Sequence, residues 1–198
     1  MTAMVRIALF GGSFNPPHVA HQMVALWALE TQPVDEVWFV PVYKHAFNKE
    51  LEPFEHRVEM TRLAAERFGA AARVVDAEKD NASGRTYDLL QTLTKDGSRS
   101  FRLLVGTDIL AESHKWHRWD DVIAMAPLMV IARAGHLPAG HETSFAAPSI
   151  SSTQIRELLA GEQDPAATEA ERAGARDEVT SLLPASVLRY IGAHGLYR

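Results

Sequence analysis

The chain of 198 residues contains no cysteine. That excludes disulfides, thiolate zinc sites, iron–sulfur clusters and a cysteine nucleophile. No apolar run approaches the roughly 20 residues that a membrane-spanning helix needs. The start, MTAMVRIALFGGS, lacks the long apolar core and small-residue cleavage site of a secretory signal, and reads as a first strand. A cytoplasmic protein is the expectation, with no membrane partner. An excess of basic charge is missing too. Lys and Arg number 20 against 25 Asp and Glu, a net charge of −5, and no segment of the chain is basic. A nucleic-acid groove is therefore not expected, and any anion must be gripped by local geometry. The phosphate motifs GxxxxGK[ST] and GxGxxG and the GxSxG nucleophile elbow are absent. His18-x-x-His21 and His114-x-x-His117 have no third ligand at useful spacing, so no protein-held metal is expected.

What is present is ordinary globular composition, 46% apolar and 23% charged, in a chain long enough to bury about 70% of its unfolded surface. Short unbroken apolar runs at Val5–Phe10, Glu36–Val42, Arg73–Val75, Phe101–Val105 and Leu128–Ala132 read as strands covered on both faces. Helix-like stretches lie between them, at His18–Glu30, Glu55–Phe68, Tyr87–Lys95 and Trp119–Ala126. This alternation predicts an α/β fold: a doubly wound, Rossmann-like, mostly parallel sheet with helices on both faces. Ala134–Pro148 reads as a surface loop. Residues 150–198 read as a C-terminal helical part of the same single domain, 1–198.

Gly11-Gly12-Ser13-Phe14-Asn15-Pro16-Pro17-His18-Val19-Ala20-His21 follows the first strand. Glycines there let main-chain N–H groups approach a ligand, at the strand end where doubly wound sheets bind ligands. Asn15 before Pro16 reads as a helix cap, and the helix start as a phosphate site. His18 and His21 share one face of the first turn and can donate to phosphate oxygens, next to which the charged imidazole is favoured. Read blandly, Gly-Gly is a turn and the histidines are surface residues.

Ile150-Ser151-Ser152-Thr153-Gln154-Ile155-Arg156 reads as a helix start, with Ser151 and Gln154 as a capping box and Gly161 as its end. The cap leaves Arg156 unexplained. A cation near a helix N-terminus opposes the macrodipole unless both share an anion, and the guanidinium fork suits phosphate.

These two segments resemble the GG-x-F-x-P-x-H-x-G-H and ISS-T-x-I-R signatures of the nucleotidyltransferase superfamily and, within it, the bacterial nicotinate-mononucleotide adenylyltransferases. Ala20 stands where the signature has Gly. The resemblance implies AMP transfer from ATP to nicotinate mononucleotide (NaMN), giving deamido-NAD and pyrophosphate, with Mg²⁺ carried on the ATP phosphates. It implies that His18, His21 and Arg156 act on the phosphates. Gly11, Gly12, Ser13, Phe14, Lys44, Ser151, Ser152, Thr153, Gly106 and Asp108 would bind ATP. Gly106-Thr107-Asp108 otherwise reads as a turn with Asp108 as a helix cap. Thr86, Tyr87, Trp116 and His117 would line the nicotinate-nucleotide pocket.

Departures from the family are Val42 for an Asn, and Asp88 for a Thr, where a carboxylate would disfavour nicotinate. Lys44 and His45 read equally as phosphate cations or as solvated loop residues. Arg57 matches a family Arg but reads by default as a helix-surface residue. The LLPASVLRYIGAHGLYR ending resembles the family's and reads as a structural helix. Residues 163–181 form an insertion, a longer helix or an oligomer contact. The alternatives are the same chemistry on amide NMN or phosphopantetheine, a non-catalytic nucleotide sensor, and a metal hydrolase.

Overall fold

The computed structural model describes residues 4–43, 50–133 and 145–198, the side chains of Asp108 and Ala111 excepted. In chain order the elements are β1 (Val5–Gly12), α1 (Val19–Thr31), β2 (Glu36–Pro41), α2 (Phe54–Ala65), β3 (Ala72–Val74), α3 (Thr86–Leu93) and β4 (Arg99–Gly106). There follow α4 (Thr107–Ala111), α5 (Trp119–Met125), β5 (Leu128–Arg133), β6 (Ala146–Ala147), α6 (Ser152–Gln163), α7 (Glu169–Leu182) and α8 (Ala185–His194).

The six strands form one sheet in the order β3-β2-β1-β4-β5-β6, and every pairing is parallel. Ile7, Ala8 and Leu9 are all essentially inaccessible, because helices cover both faces of the central strand at its middle. Ala8 joins the cluster with Val24, Ala25 and Ala28 of α1 and Ala65 of α2. Ile7 and Leu9 join the other, with Tyr87, Leu89 and Leu90 of α3 and Val122 of α5. A third cluster joins Met60 and Ala64 of α2 to Ile155, Leu159, Val179, Val187 and Ile191 of α6 to α8.

The chain steps outward from β1 to β2 and β3, then returns to the far side of β1 for β4, β5 and β6. The order therefore reverses between β1 and β4, the switch point outside whose carboxyl ends open α/β sheets bind ligands. Gly11 and Gly12 end one of these strands and Gly106 ends the other.

The expected loop Ala134–Pro148 is corrected where it is described: Ala146–Ala147 pair with Ala132 and Arg133 as the edge strand β6. A two-residue strand is too short to show a pattern. Gly161 does not end α6, which runs to Gln163. The inserted segment forms α7, opened by a reciprocal cap between Thr168 and Glu171 and tied to α6 by Gln154 to Glu178 and Arg176 to Glu162. Among the described residues, no helix is long and apolar enough to cross a membrane.

Candidate active site

At the switch point lies a cleft of about 490 Å³, walled by Gly11, Gly12 and Ser13 on one side and by Ser151, Ser152, Thr153 and Arg156 on the other. The two signature segments touch directly. Arg156 Nη1 donates to the Asn15 carbonyl at 2.8 Å, and Ser152 Oγ donates to the Pro16 carbonyl at 2.9 Å. Arg156 Nη2 also meets Thr153 Oγ1 at 3.2 Å. Among the described residues, no carboxylate forms an ion pair with Arg156, so its charge stays available for an anion.

The glycines are the last residues of β1, not a turn; the turn is Ser13–Pro17. A Cβ on Gly11 would meet nothing within 4 Å, so main chain is bare on the cleft wall. A Cβ on Gly12 would stand 3.1 Å from Phe14 Cζ. The Phe14 ring is buried, edge-on to Phe10, Phe39 and His21. Phe14 itself takes a left-handed φ of 46°, uncommon for a residue with a side chain. It therefore supports the loop from beneath and does not line the cleft.

His18, not Asn15, is the cap of α1. Asn15 turns inward instead, 2% exposed, and its Oδ1 accepts from Glu52 N–H and the Tyr197 hydroxyl. His18 and His21 both line the cleft, with ring centroids 3.8 Å apart. His21 Nδ1 accepts the His18 main-chain N–H at 3.1 Å. That bond fixes the His21 ring against the main chain at the start of α1.

Ser151 caps α6, its Oγ accepting from Gln154 N–H at 3.1 Å. The expected reciprocal half is missing, because the Gln154 side chain reaches Glu178 instead. Gly106 lines the cleft and caps α4, which removes Asp108 from the cap and places it inside α4. The Asp108 side chain, Lys44 and His45 lie outside the described residues.

Thr86 and Trp116 line the cleft near Leu89 and Ile109, and Trp116 sits edge-on to Trp119 at 5.4 Å. Tyr87 and His117 do not join them. Tyr87 is buried in the α3/α5 cluster, its hydroxyl accepting from Gln91 and its face covered by Arg118. His117 is exposed, edge-on to Tyr87. Asp88 accepts from Ser83 Oγ at 2.6 Å and is not on the cleft wall. Val42 does line the cleft, and its N–H extends the sheet to the Gly12 carbonyl at 3.0 Å.

The expected surface position of Arg57 is also corrected. It is 1% exposed and donates to the carbonyls of Ser13 at 2.8 Å and Glu52 at 2.9 Å. Two residues escaped sequence reasoning. Glu78, in a short 3-10 turn, lines the cleft while almost fully buried. Loss of water raises its carboxyl above the ordinary range, against a weak contact from Asn81. Glu52 ties Asn15, Arg57 and Tyr197 together. Neither sits in a periodic pattern, and no sequence signal marks either.

Comparison with known proteins decides the family. Residues 9–158 match the cytidylyltransferase-like family. A protein named "Probable nicotinate-nucleotide adenylyltransferase" from Anaeromyxobacter dehalogenans (strain 2CP-1) is 47% identical over 197 residues, 97% of this chain and 96% of that protein. The like-named Myxococcus xanthus protein is 38% identical over 199 residues, 100% and 97% of the two chains. The chain belongs to the cytidylyltransferase-like family, among the nicotinate-nucleotide adenylyltransferases. The fold agrees with a solved Plasmodium falciparum nicotinic acid mononucleotide adenylyltransferase complexed with NaAD, with TM-score 0.76, 21% identity, and 98% and 97% of the chains covered. In this adenylyltransferase chain, the match over 9–158 takes in both cleft-building segments.

Proposed function

We propose that the chain transfers AMP from ATP to nicotinate mononucleotide, giving deamido-NAD and pyrophosphate, a step of NAD synthesis. The observation that carries this reading is the direct contact of two segments some 140 residues apart, Arg156 on Asn15 and Ser152 on Pro16, around one cleft at the switch point. A loop of bare main chain, two imidazoles, a helix N-terminus and a guanidinium form a set of donors facing one space, as a triphosphate requires.

An oxygen of the nucleotide's 5′-phosphate attacks the α-phosphorus in line. The bond from that phosphorus to the bridging oxygen breaks, and pyrophosphate leaves with the electron pair. The nucleophile arrives with the substrate, so positioning and charge stabilisation carry the reaction. The main-chain N–H groups of Gly12 and Ser13, with the His18 and His21 imidazoles, stabilise charge on the α-phosphate. Arg156 and the Ser151–Thr153 helix start hold the leaving pyrophosphate. Thr86 and Trp116 border the apolar end of the cleft, where an indole can stack on a pyridine ring.

Among the described residues no group of three His, Asp or Glu could hold a metal, and the phosphate side of the cleft is built of donors. Mg²⁺ fits as a counter-ion held by triphosphate oxygens and water, where it neutralises phosphate charge.

Isotope exchange tests the reading. Labelled pyrophosphate is expected to enter ATP only when nicotinate mononucleotide is present. Exchange without an acceptor would show a covalent adenylyl-enzyme, and no exchange under any condition would show a nucleotide binder without this chemistry.

A further inference from the structure

We infer that the Leu196–Tyr197 tail is a positioning device for the phosphate-facing loop, in which Tyr197 fixes Asn15 and Asn15 fixes Arg156. The inference rests on the adenylyl-transfer reading above.

The tail returns to the site through two left-handed residues, Gly195 and Tyr197, each with φ of 60°. For Tyr197 this is an uncommon conformation, held by what surrounds it. Leu196 is buried in the cluster of α2, α6, α7 and α8. Tyr197 lies beside it, 9% exposed, and its hydroxyl donates to Asn15 Oδ1 at 2.9 Å. The Glu52 main-chain N–H donates to the same oxygen at 3.1 Å. Glu52 Oε1 in turn accepts the Tyr197 main-chain N–H at 3.2 Å. Three residues remote in sequence thus close a ring of hydrogen bonds, with Asn15 and Tyr197 buried and Glu52 partly so.

The other end of Asn15 faces the chemistry, since its carbonyl accepts Arg156 Nη1 at 2.8 Å. Burial, then the Glu52 charge, raise the Tyr197 phenol far above its ordinary value. Its proton therefore stays in place, and the bond to Asn15 has a fixed direction. A guanidinium binds phosphate through two parallel bonds only when its plane is set. Here that plane is set by a carbonyl whose own residue is pinned from behind. Without the Tyr197 hydroxyl, Asn15 Oδ1 keeps a single donor and the Arg156 anchor loosens.

A double-mutant cycle tests this. Tyr197→Phe keeps the ring and removes the bond. Steady-state rates with ATP and nicotinate mononucleotide are compared for wild type, Tyr197→Phe, Arg156→Lys and the double variant. Tyr197→Phe should lower kcat/KM for ATP about tenfold, since misplacement by about 1 Å can cost up to 10²-fold. KM for the acceptor should change less than about twofold. In the Arg156→Lys background the same change should cost under about twofold, because the route it uses is already broken. Val179→Ala, in the same core cluster but outside the tail, should lower the melting temperature and leave the ratio of the two KM values unchanged.

Equal losses for both substrates, no loss, or losses that multiply in the double variant would each overturn the inference. Should Tyr197→Phe fail to fold, Asn15→Ala, which keeps the carbonyl that Arg156 uses, enters the same cycle with the same expectation. If the wild type makes no dinucleotide, the functional reading fails by itself. Calorimetric binding of a non-hydrolysable ATP analogue still judges the tail: about tenfold weaker binding by Tyr197→Phe supports it, and equal binding contradicts it.

Discussion

Replacing Arg57 by methionine removes a buried cation while keeping most of its volume. Its guanidinium satisfies the carbonyls of Ser13, at 2.8 Å, and Glu52, at 2.9 Å. The contact to Tyr43 at 3.4 Å is long and adds little. A buried carbonyl left without a donor costs about 1–3 kcal/mol, so two lost partners suggest about 2–6 kcal/mol. An opposing effect reduces that sum. Burial disfavours the cation and lowers the Arg57 pKa, and methionine has no charge to desolvate. The net expectation is a loss of about 2–4 kcal/mol. For a chain of this size each kcal/mol shifts Tm by about 2–4 °C, so melting should fall by about 4–16 °C. Urea unfolding should show a lower midpoint with an unchanged slope. The Ser13 carbonyl belongs to the cleft-wall loop, so turnover measured well below melting should fall as well. A variant that melts within about 1 °C of wild type would refute the reasoning, because the two carbonyls would then need no donor.

Gly12→Ala should destabilise by about 1–3 kcal/mol, since its Cβ would stand 3.1 Å from a ring hemmed in on all sides. Gly11→Ala should leave melting unchanged and raise KM for ATP, because its methyl fills open cleft. His18→Ala should lower turnover by roughly 10²–10³, as loss of a transition-state donor does; near-normal turnover would remove His18 from the chemistry. Asp35, held by Arg6, has its carboxyl lowered from 3.8 to about 2. Its contribution is complete above the unfolded-chain value and fades as pH falls towards 2, so Asp35→Asn should flatten the acid limb of a stability profile. Glu78 is shifted the other way, so stability falls as pH rises from its unfolded-chain value to its folded one, and the loss is complete above that. Glu78→Gln should stabilise the protein at neutral pH, with the gain vanishing in acid, as chemical denaturation across pH would show.

The sheet was legible because parallel strands buried on both faces cannot alternate, and their unbroken apolar runs stand out. The two signature segments stood out in the sequence because each has a residue that local structure leaves unexplained, the paired glycines in one and Arg156 in the other, and both line one cleft. Asn15 misled because a residue before proline looks like a cap, whereas the donors to its side chain come from Glu52 and from Tyr197, which is 182 positions away. Arg57 misled in the same way: its neighbours in sequence form a helix face, but its main partner, Ser13, lies 44 positions back. Gly161 has no neighbour within 4 Å of a Cβ and sits inside a helix that continues past it. Composition cannot separate such a glycine from a terminating one. Tyr87 matched a pocket motif by spacing, but the periodicity of α3 turns it into the core.

The central claim is that two remote segments build one pocket for adenylyl transfer to a pyridine nucleotide. Side-by-side turnover with ATP and each of nicotinate mononucleotide, amide NMN and phosphopantetheine tests it most directly. Deamido-NAD and pyrophosphate should form in equal amounts, with kcat/KM for nicotinate mononucleotide the highest of the three. Preference for phosphopantetheine, or pyrophosphate from none of them, would contradict it.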